Sequence, residues 1–205
     1  MNKRNQNIIH GMDHLTKNDK KLRQVIRNVG PFKIKLEKNR FAMLVRSVAS
    51  QQLSTKVART IYGRLNELVQ QNLTPISIDA LSVTSIRSAG LSERKAQCIK
   101  SLASHILEEE IPLQNIGRFN NEEIITRLTI VKGIGEWTAQ MFLIFSLGRL
   151  DVLPHGDLGV RSGIQKIYSL DELPGKQIIY EIAECWHPYA GIACWYCWRY
   201  LELEN

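Results

Sequence analysis

The chain has 205 residues, of which 44% are hydrophobic and 23% charged, enough to bury one sizeable core or two smaller ones. It contains no run of about eighteen apolar residues, and its opening, MNKRNQNIIHGMD, lacks the apolar stretch of a secretion signal. Neither a membrane association nor export is expected, and the cytoplasm is the expected compartment. The formal net charge of +7 is unevenly placed: residues 1–40 hold eleven Lys or Arg against three acids, whereas residues 41–205 hold sixteen against seventeen. The basic opening segment is either a solvated helix face or part of an electrostatic footprint for a polyanion.

Apolar periodicity predicts helix nearly everywhere. Leu22, Val25, Ile26 and Val29 fall at helical spacing before Gly30-Pro31 stops them, and Phe41, Leu44, Val45 and Val48 open another apolar face. Ser54 is placed to cap a helix carrying Val57, Ile61, Leu65 and Leu68, and Ser92 one carrying Ala96, Ile99, Leu102 and Ile106. Further on, Gly133-Ile134-Gly135 precedes an apolar stretch, Trp137 to Leu147, read as an amphipathic helix. The irregular RLDVLPHG follows, and then Asp157, at the N-cap position of a helix over 158–168. The pattern gives an all-α chain of about ten helices, with no convincing pair of strands.

Two places in this pattern can carry chemistry. A Gly-x-Gly pair permits a tight hairpin because neither residue has the Cβ that penalises positive φ. At a helix entrance its bare amide groups suit a phosphate; the plainer reading is a turn between packed helices. Asp157, twenty-two residues after Gly135, is either an ordinary N-cap contributing about 1 kcal/mol or a catalytic carboxylate held at a helix start. Hairpin, helix, Pro/Gly-rich linker and Asp, in that order, form a composite that chance seldom assembles. The cysteines Cys98, Cys185, Cys194 and Cys197 are expected as reduced thiols, with Cys194 and Cys197 as small core residues rather than metal ligands. No metal and no cofactor is required.

The segment LTIVKGIGEWTAQMFLIFSLGRLDVLPHGDLGVRSG resembles the helix-hairpin-helix DNA glycosylase superfamily. FAMLVRSVASQQLSTKVARTIYGRL, GLSERKAQCIKSLA and WHPYAGIACWYCW resemble one branch of it, the DNA-3-methyladenine glycosylase II group. The likeness is collinear over residues 13–200. It implies a two-lobed all-α fold with an active cleft between the lobes, one lobe over 41–152 and the other from 1–40 with 153–205, without the additional N-terminal β-rich domain of some members. It also implies a monomer whose partner is double-stranded DNA containing alkylated bases, at the nucleoid if the source is bacterial.

Carried over residue by residue, the resemblance places the phosphate-binding hairpin on Lys132, Gly133, Ile134 and Gly135, with Thr138 beside it on the following helix. It places the catalytic carboxylate on Asp157 and the aromatic base-binding residues on Trp137 and Trp198. The loop that wedges into the duplex falls on Gln52 and Leu53. In strand-cutting relatives a Lys follows the hairpin in a Gly-x-Gly-x-Lys-Thr-Ala pattern. Here Trp137 stands in its place, which implies hydrolysis of the base alone. The iron–sulfur branch carries four closing cysteines; this chain has Cys185, Cys194 and Cys197 and no fourth. The closing motif departs from the group's Trp-x-Pro-aromatic-Arg-Ser at Ala190-Gly191, which leaves the breadth of substrate open. A non-catalytic DNA-binding module could use the same hairpin, but would have no need of the Asp157 context or the tryptophan pair.

Overall fold

A computed structural model describes residues 3–203. Among the described residues the chain forms twelve α-helices and two short 3-10 turns, with no β-strand, and no helix is long and apolar enough to cross a membrane. The helix starts follow the side chains that can satisfy the orphan amides of a first turn. After α1 (Lys3–Asn18), Asp19 caps α2 (Lys20–Val29), which ends on Gly30 at φ +87°. Asn39 caps α3 (Arg40–Ser50), Ser54 caps α4 (Thr55–Leu68), and Thr74 and Ser82 cap the short α5 (Pro75–Asp79) and α6 (Val83–Ser88). Ser92 caps α7 (Glu93–Leu107), and a reciprocal box between Asn120 and Glu123 opens α8 (Asn121–Thr129). Then come α9 (Glu136–Phe145), α10 (Leu158–Tyr168) capped by Asp157, α11 (Lys176–Ala183) and α12 (Ala190–Leu203).

The caps expected at Ser54, Ser92 and Asp157 all form. Two apolar patterns are used differently from the expectation. On α4 the buried face is narrower, held by Ala58, Ile61 and Leu65, while Val57 and Leu68 are exposed. α9 is not amphipathic: every residue from Thr138 to Ile144 is buried. Its Ala-Gln-Met-Phe-Leu-Ile run offers no polar face, and a helix apolar all round must be covered all round.

The chain divides into two compact units, one of residues 36–147 and one built from both chain ends, 1–35 with 148–205. Both crossings lie five residues before the 40/41 and 152/153 partition expected from the sequence, and local hydrogen bonds give the reason. Glu37 donates its N–H to the Phe145 carbonyl at 2.8 Å and accepts from the Ser146 hydroxyl at 3.1 Å, which holds the approach to α3 in the first unit. Gly191 donates to the Leu150 carbonyl at 2.8 Å, which holds the linker after 147 in the second.

The two-ended unit has a buried polar knot. The Asp19 carboxylate, 6% exposed, accepts from Leu22 N–H at 2.9 Å, from Trp186 Nε1 at 2.8 Å and from the Tyr168 hydroxyl. One side chain thus caps α2 and satisfies donors from α10 and from the turn before α12. Burial first, and then the bond to Asp19, push the Tyr168 phenol far above its ordinary value, so it remains a donor. Asp19→Ala removes the cap and strands two donors, Trp186 being fully buried. The expected loss is about 3 kcal/mol, read as a fall in Tm of about 6–12 °C. Asp19→Asn keeps a capping oxygen and should lose less; thermal unfolding of the two variants checks the order.

Candidate active site

The hairpin is built in the unit of residues 36–147. Gly133 has φ +106°, and a Cβ there would stand 2.9 Å from the Cys98 Sγ, so both conformation and packing demand glycine. Gly135 is different: its φ is −97° and nothing lies within 4 Å of where its Cβ would be. The expectation of two glycines sharing one conformational reason is therefore corrected. Gly133 makes the turn against α7, and Gly135 leaves the approach to the amides open. Ile134 also differs from its expected role. Its N–H is already donated to the Val131 carbonyl at 2.9 Å, and its side chain is 3% exposed, so it anchors the hairpin rather than offering an amide.

The N–H groups of Gly133 and Gly135 find no acceptor among the described residues. They stand at the start of α9, where the first amides of any helix have no acceptor within the helix and the helix dipole is positive. Lys132 is exposed beside them. Glu136, the first helical residue, accepts from Gln140 Nε2 at 2.9 Å, which ties its carboxylate along the helix flank. Open amides at a positive helix end are chemically suited to an anion such as a phosphodiester. Thr138 does not offer its hydroxyl to solvent: it is 1% exposed and accepts from Gln51 Nε2 at 3.3 Å. Trp137, on the first turn of α9, is half-buried.

The turn between α3 and α4 presents the other residues of this unit. Gln52 has φ +57°, uncommon for a side chain of its kind, and is exposed. Leu53, 40% exposed, stands beside it rather than being buried at a helix start. Gln51 was not singled out in the sequence, yet its Nε2 reaches both the Gly133 carbonyl at 3.1 Å and the Thr138 hydroxyl. Lys95 on α7 was also missed; its Nζ donates to the carbonyls of Ala49 at 3.0 Å and Gln51 at 2.6 Å. Partial burial lowers its pKa from the ordinary lysine value. No short-range spacing rule finds these two residues, because their partners are 44 to 87 residues away.

In the other unit, Asp157 is both a cap and an oriented carboxylate. Its Oδ1 accepts from Val160 N–H at 2.8 Å and from Trp198 Nε1 at 2.8 Å. The structure therefore brings Asp157 and Trp198 together, with the indole edge on the carboxylate. Close approach of α10 and α12 makes this possible. A Cβ at Gly159 would lie 2.7 Å from Trp198 Cδ1, and one at Gly163 would lie 2.6 Å from the Cys197 Cβ and 2.8 Å from its carbonyl oxygen. The Gly-x3-Gly spacing inside a helix was the available signal for this contact, and the sequence reading passed over it.

The departure at Ala190-Gly191 also has a local reason. Ala190 is fully buried, and a Cβ at Gly191 would stand 3.0 Å from the Leu150 carbonyl oxygen and 3.2 Å from that of Arg149. Beside it, the Asp151 carboxylate contacts His187 Nδ1 at 2.7 Å and accepts from Ala190 N–H at 3.2 Å. The four cysteines are free thiols: Cys98, Cys194 and Cys197 are buried and Cys185 is exposed. Burial pushes the Cys98 thiol up to about 11, and Cys194 and Cys197 are raised well above the ordinary value for the same reason. No cluster of three or more His, Cys, Asp or Glu able to hold a metal occurs among the described residues.

With this geometry in hand, similarity to known proteins is extensive. The family model described as HhH-GPD superfamily base excision DNA repair protein matches residues 45–188. The DNA-3-methyladenine glycosylase 1 of Schizosaccharomyces pombe is 37% identical over 194 residues, covering 93% of this chain and 85% of that protein. The solved structure of an S. pombe 3-methyladenine DNA glycosylase in complex with abasic DNA superposes with a TM-score of 0.88 at 35% identity, covering 94% of this chain and 97% of that one. A DNA-3-methyladenine glycosidase from Bacillus halodurans gives a TM-score of 0.83 at 36% identity, covering 92% and 88%. The all-helical architecture, the hairpin ahead of α9 and the match over most of the chain place this protein in the HhH-GPD superfamily of base excision DNA repair proteins.

Proposed function

We propose that the chain is a monofunctional DNA glycosylase of the 3-methyladenine II type, which hydrolyses the N-glycosidic bond of alkylated purines such as 3-methyladenine and 7-methylguanine and leaves an abasic site. The observation that carries the reading is the Asp157 carboxylate, fixed at the head of α10 by Val160 N–H and Trp198 Nε1 on the same oxygen. Similarity to DNA-3-methyladenine glycosylases along most of the chain supports the substrate class.

The chemistry asks for little acid catalysis. A purine alkylated at N3 or N7 is cationic and departs with the glycosidic electron pair as a neutral base. The residues need instead to expose the nucleotide and to stabilise the sugar. Extrusion from the stack costs a few kcal/mol, least for a damaged base. The hairpin amides and Lys132 hold the backbone without reading sequence, while Gln52 and Leu53 fill the place the nucleotide leaves. Trp137 offers an indole face, whose attraction for a cationic ring is worth about 0.5 to 2 kcal/mol. As the C1′–N bond lengthens, positive charge gathers on the sugar, and the Asp157 carboxylate stabilises it electrostatically. Water then adds its oxygen to C1′, and its proton passes to Asp157 or to solvent. Trp198 orients that carboxylate through its N–H and lends its ring to the wall of the base site.

Asp157→Asn retains a capping oxygen, so its Tm should stay within a few degrees of wild type. Loss of the charge should slow single-turnover release of 3-methyladenine at least about a hundredfold, by the scale of electrostatic deletions, while binding to DNA holding an abasic-site mimic persists. Near wild-type excision by this variant would reduce Asp157 to a cap.

The hairpin makes a separate forecast. Gly135→Asp puts a side chain and a negative charge into the open space ahead of α9, so affinity should fall for damaged and undamaged duplex alike, with a shallower salt dependence. Unchanged affinity in a folded variant, measured by salt titration of duplex binding, would remove the phosphate assignment.

Trp137 in place of a lysine decides the fate of the strand. An indole forms no imine, so product strands should remain unbroken until hot alkali cleaves them, and borohydride should trap no enzyme–DNA adduct. An adduct at appreciable yield with the wild-type protein would overturn the monofunctional reading.

A further inference from the structure

The geometry points to a brace in which Lys95 and Gln51 hold the turn 50–53 in a fixed register with the 132–135 hairpin, so that the residues entering the duplex and the amides holding its backbone move as one body. Both are positioning residues. The inference rests on the wedge and hairpin roles proposed above, and adds two residues that act through the turn and the hairpin.

Three observations carry it. The turn is locally unfavourable: Gln52 sits at φ +57°, and its neighbour Leu53 is 40% exposed, so hydrophobic burial holds the tip only in part. Two carbonyls on the approach to the tip, Ala49 and Gln51, converge on one ammonium, Lys95 Nζ, at 3.0 and 2.6 Å. A cation at the last carbonyls of α3 is favoured by the helix dipole as well as by hydrogen bonding. Finally, the Gln51 side chain crosses to the hairpin and donates to the Gly133 carbonyl and the Thr138 hydroxyl. Thr138 is buried, and Gly133 leaves no room for a Cβ against Cys98, so Gln51 binds the turn to closely packed parts of the same unit. Lys95 and Cys98 lie one turn apart on the same helix, α7. The face of α7 that supports the hairpin therefore supports the turn too.

A wedge that must occupy a vacated stack works only if its tip is held while the backbone is gripped. Loosening the brace should therefore raise the cost of extruding a paired nucleotide and leave grip on the backbone nearly intact. Lys95→Met keeps the aliphatic stem and removes the three donors; Lys95→Arg keeps donors. For Lys95→Met, single-turnover excision of 3-methyladenine from paired duplex should fall about tenfold or more, with affinity for undamaged duplex changed less than about threefold. When the damaged base lies opposite an abasic site, where extrusion is cheap, the deficit should shrink to under about threefold. Fluorescence of a 2-aminopurine flanking the target should report less unstacking in the paired duplex. Lys95→Arg should recover most of the rate, and Gln51→Ala should reproduce the selective loss should Lys95→Met prove unstable.

A double variant, Gln52→Ala with Leu53→Ala, tests the wedge reading by itself. If it is slow on paired duplex while Lys95→Met and Gln51→Ala are not, the brace is overturned and the wedge stands. If the double variant excises normally, the wedge reading falls first and the brace with it. Equal slowing of Lys95→Met on paired and unpaired targets would mark a merely structural lysine and also overturn the proposal.

Discussion

The close packing of α10 on α12 is the constraint on which the setting of the Asp157 carboxylate depends. Glycines at 159 and 163 flatten one stripe of α10, and the Cys197 backbone and the Trp198 ring occupy the space that side chains would have filled. That contact sets the indole N–H at 2.8 Å from the Asp157 carboxylate oxygen. The same oxygen caps α10, so the helix and the carboxylate orient each other. A larger residue at 163 would push the two helices apart, against a packed interior that yields little. The Asp157 carboxylate would then lose the indole N–H.

A similar economy governs the hairpin ahead of α9. The conformational demand falls on Gly133, pressed on Cys98, while the vacancy falls on Gly135. One glycine makes the shape and the other keeps it accessible. Ile134 between them is buried and spends its amide within the turn, which fixes the hairpin on its unit. Cys98 in this setting is a packing residue, and burial raises its thiol to about 11, well away from a reactive thiolate at neutral pH. Cys194 and Cys197 belong to the same class by burial. The small side chain of Cys197 lets α12 lie against Gly163, a use of cysteine that needs no metal.

Polar groups, buried at Asp19 and half-buried at Lys95 and Gln51, serve as ties between distant parts of the chain. Asp19 joins α2, Tyr168 at the end of α10 and Trp186 ahead of α12; Lys95 and Gln51 join α3, α7 and the hairpin. In each case one charged or amide group meets several partners, the condition under which burying it is tolerable. Such ties add directional contacts to the apolar packing.

What the sequence determined by itself was whatever depends on neighbours in the chain. Helix starts at Ser54, Ser92 and Asp157 follow from capping chemistry within three residues. The hairpin follows from Gly-x-Gly, and the all-α class from apolar spacing. The hairpin and Asp157 were legible for the same reason, since hairpin, linker and carboxylate come in a short ordered run, whereas Trp137, Trp198, Gln52 and Leu53 were implied only by the family resemblance. Tertiary structure decided what depends on residues far apart. It put Trp198 on Asp157, 41 positions away, and gave Gln51 and Lys95 their partners. It buried the hydroxyl of Thr138 and every residue of α9 from Thr138 to Ile144. It also moved the unit boundaries to 35/36 and 147/148, where hydrogen bonds from Glu37 and Gly191 outweigh the local pattern. Spacing along a helix fixes which face is apolar. Only the arrival of another element fixes what that face touches, and through that contact which polar groups are spent on the fold and which remain for chemistry.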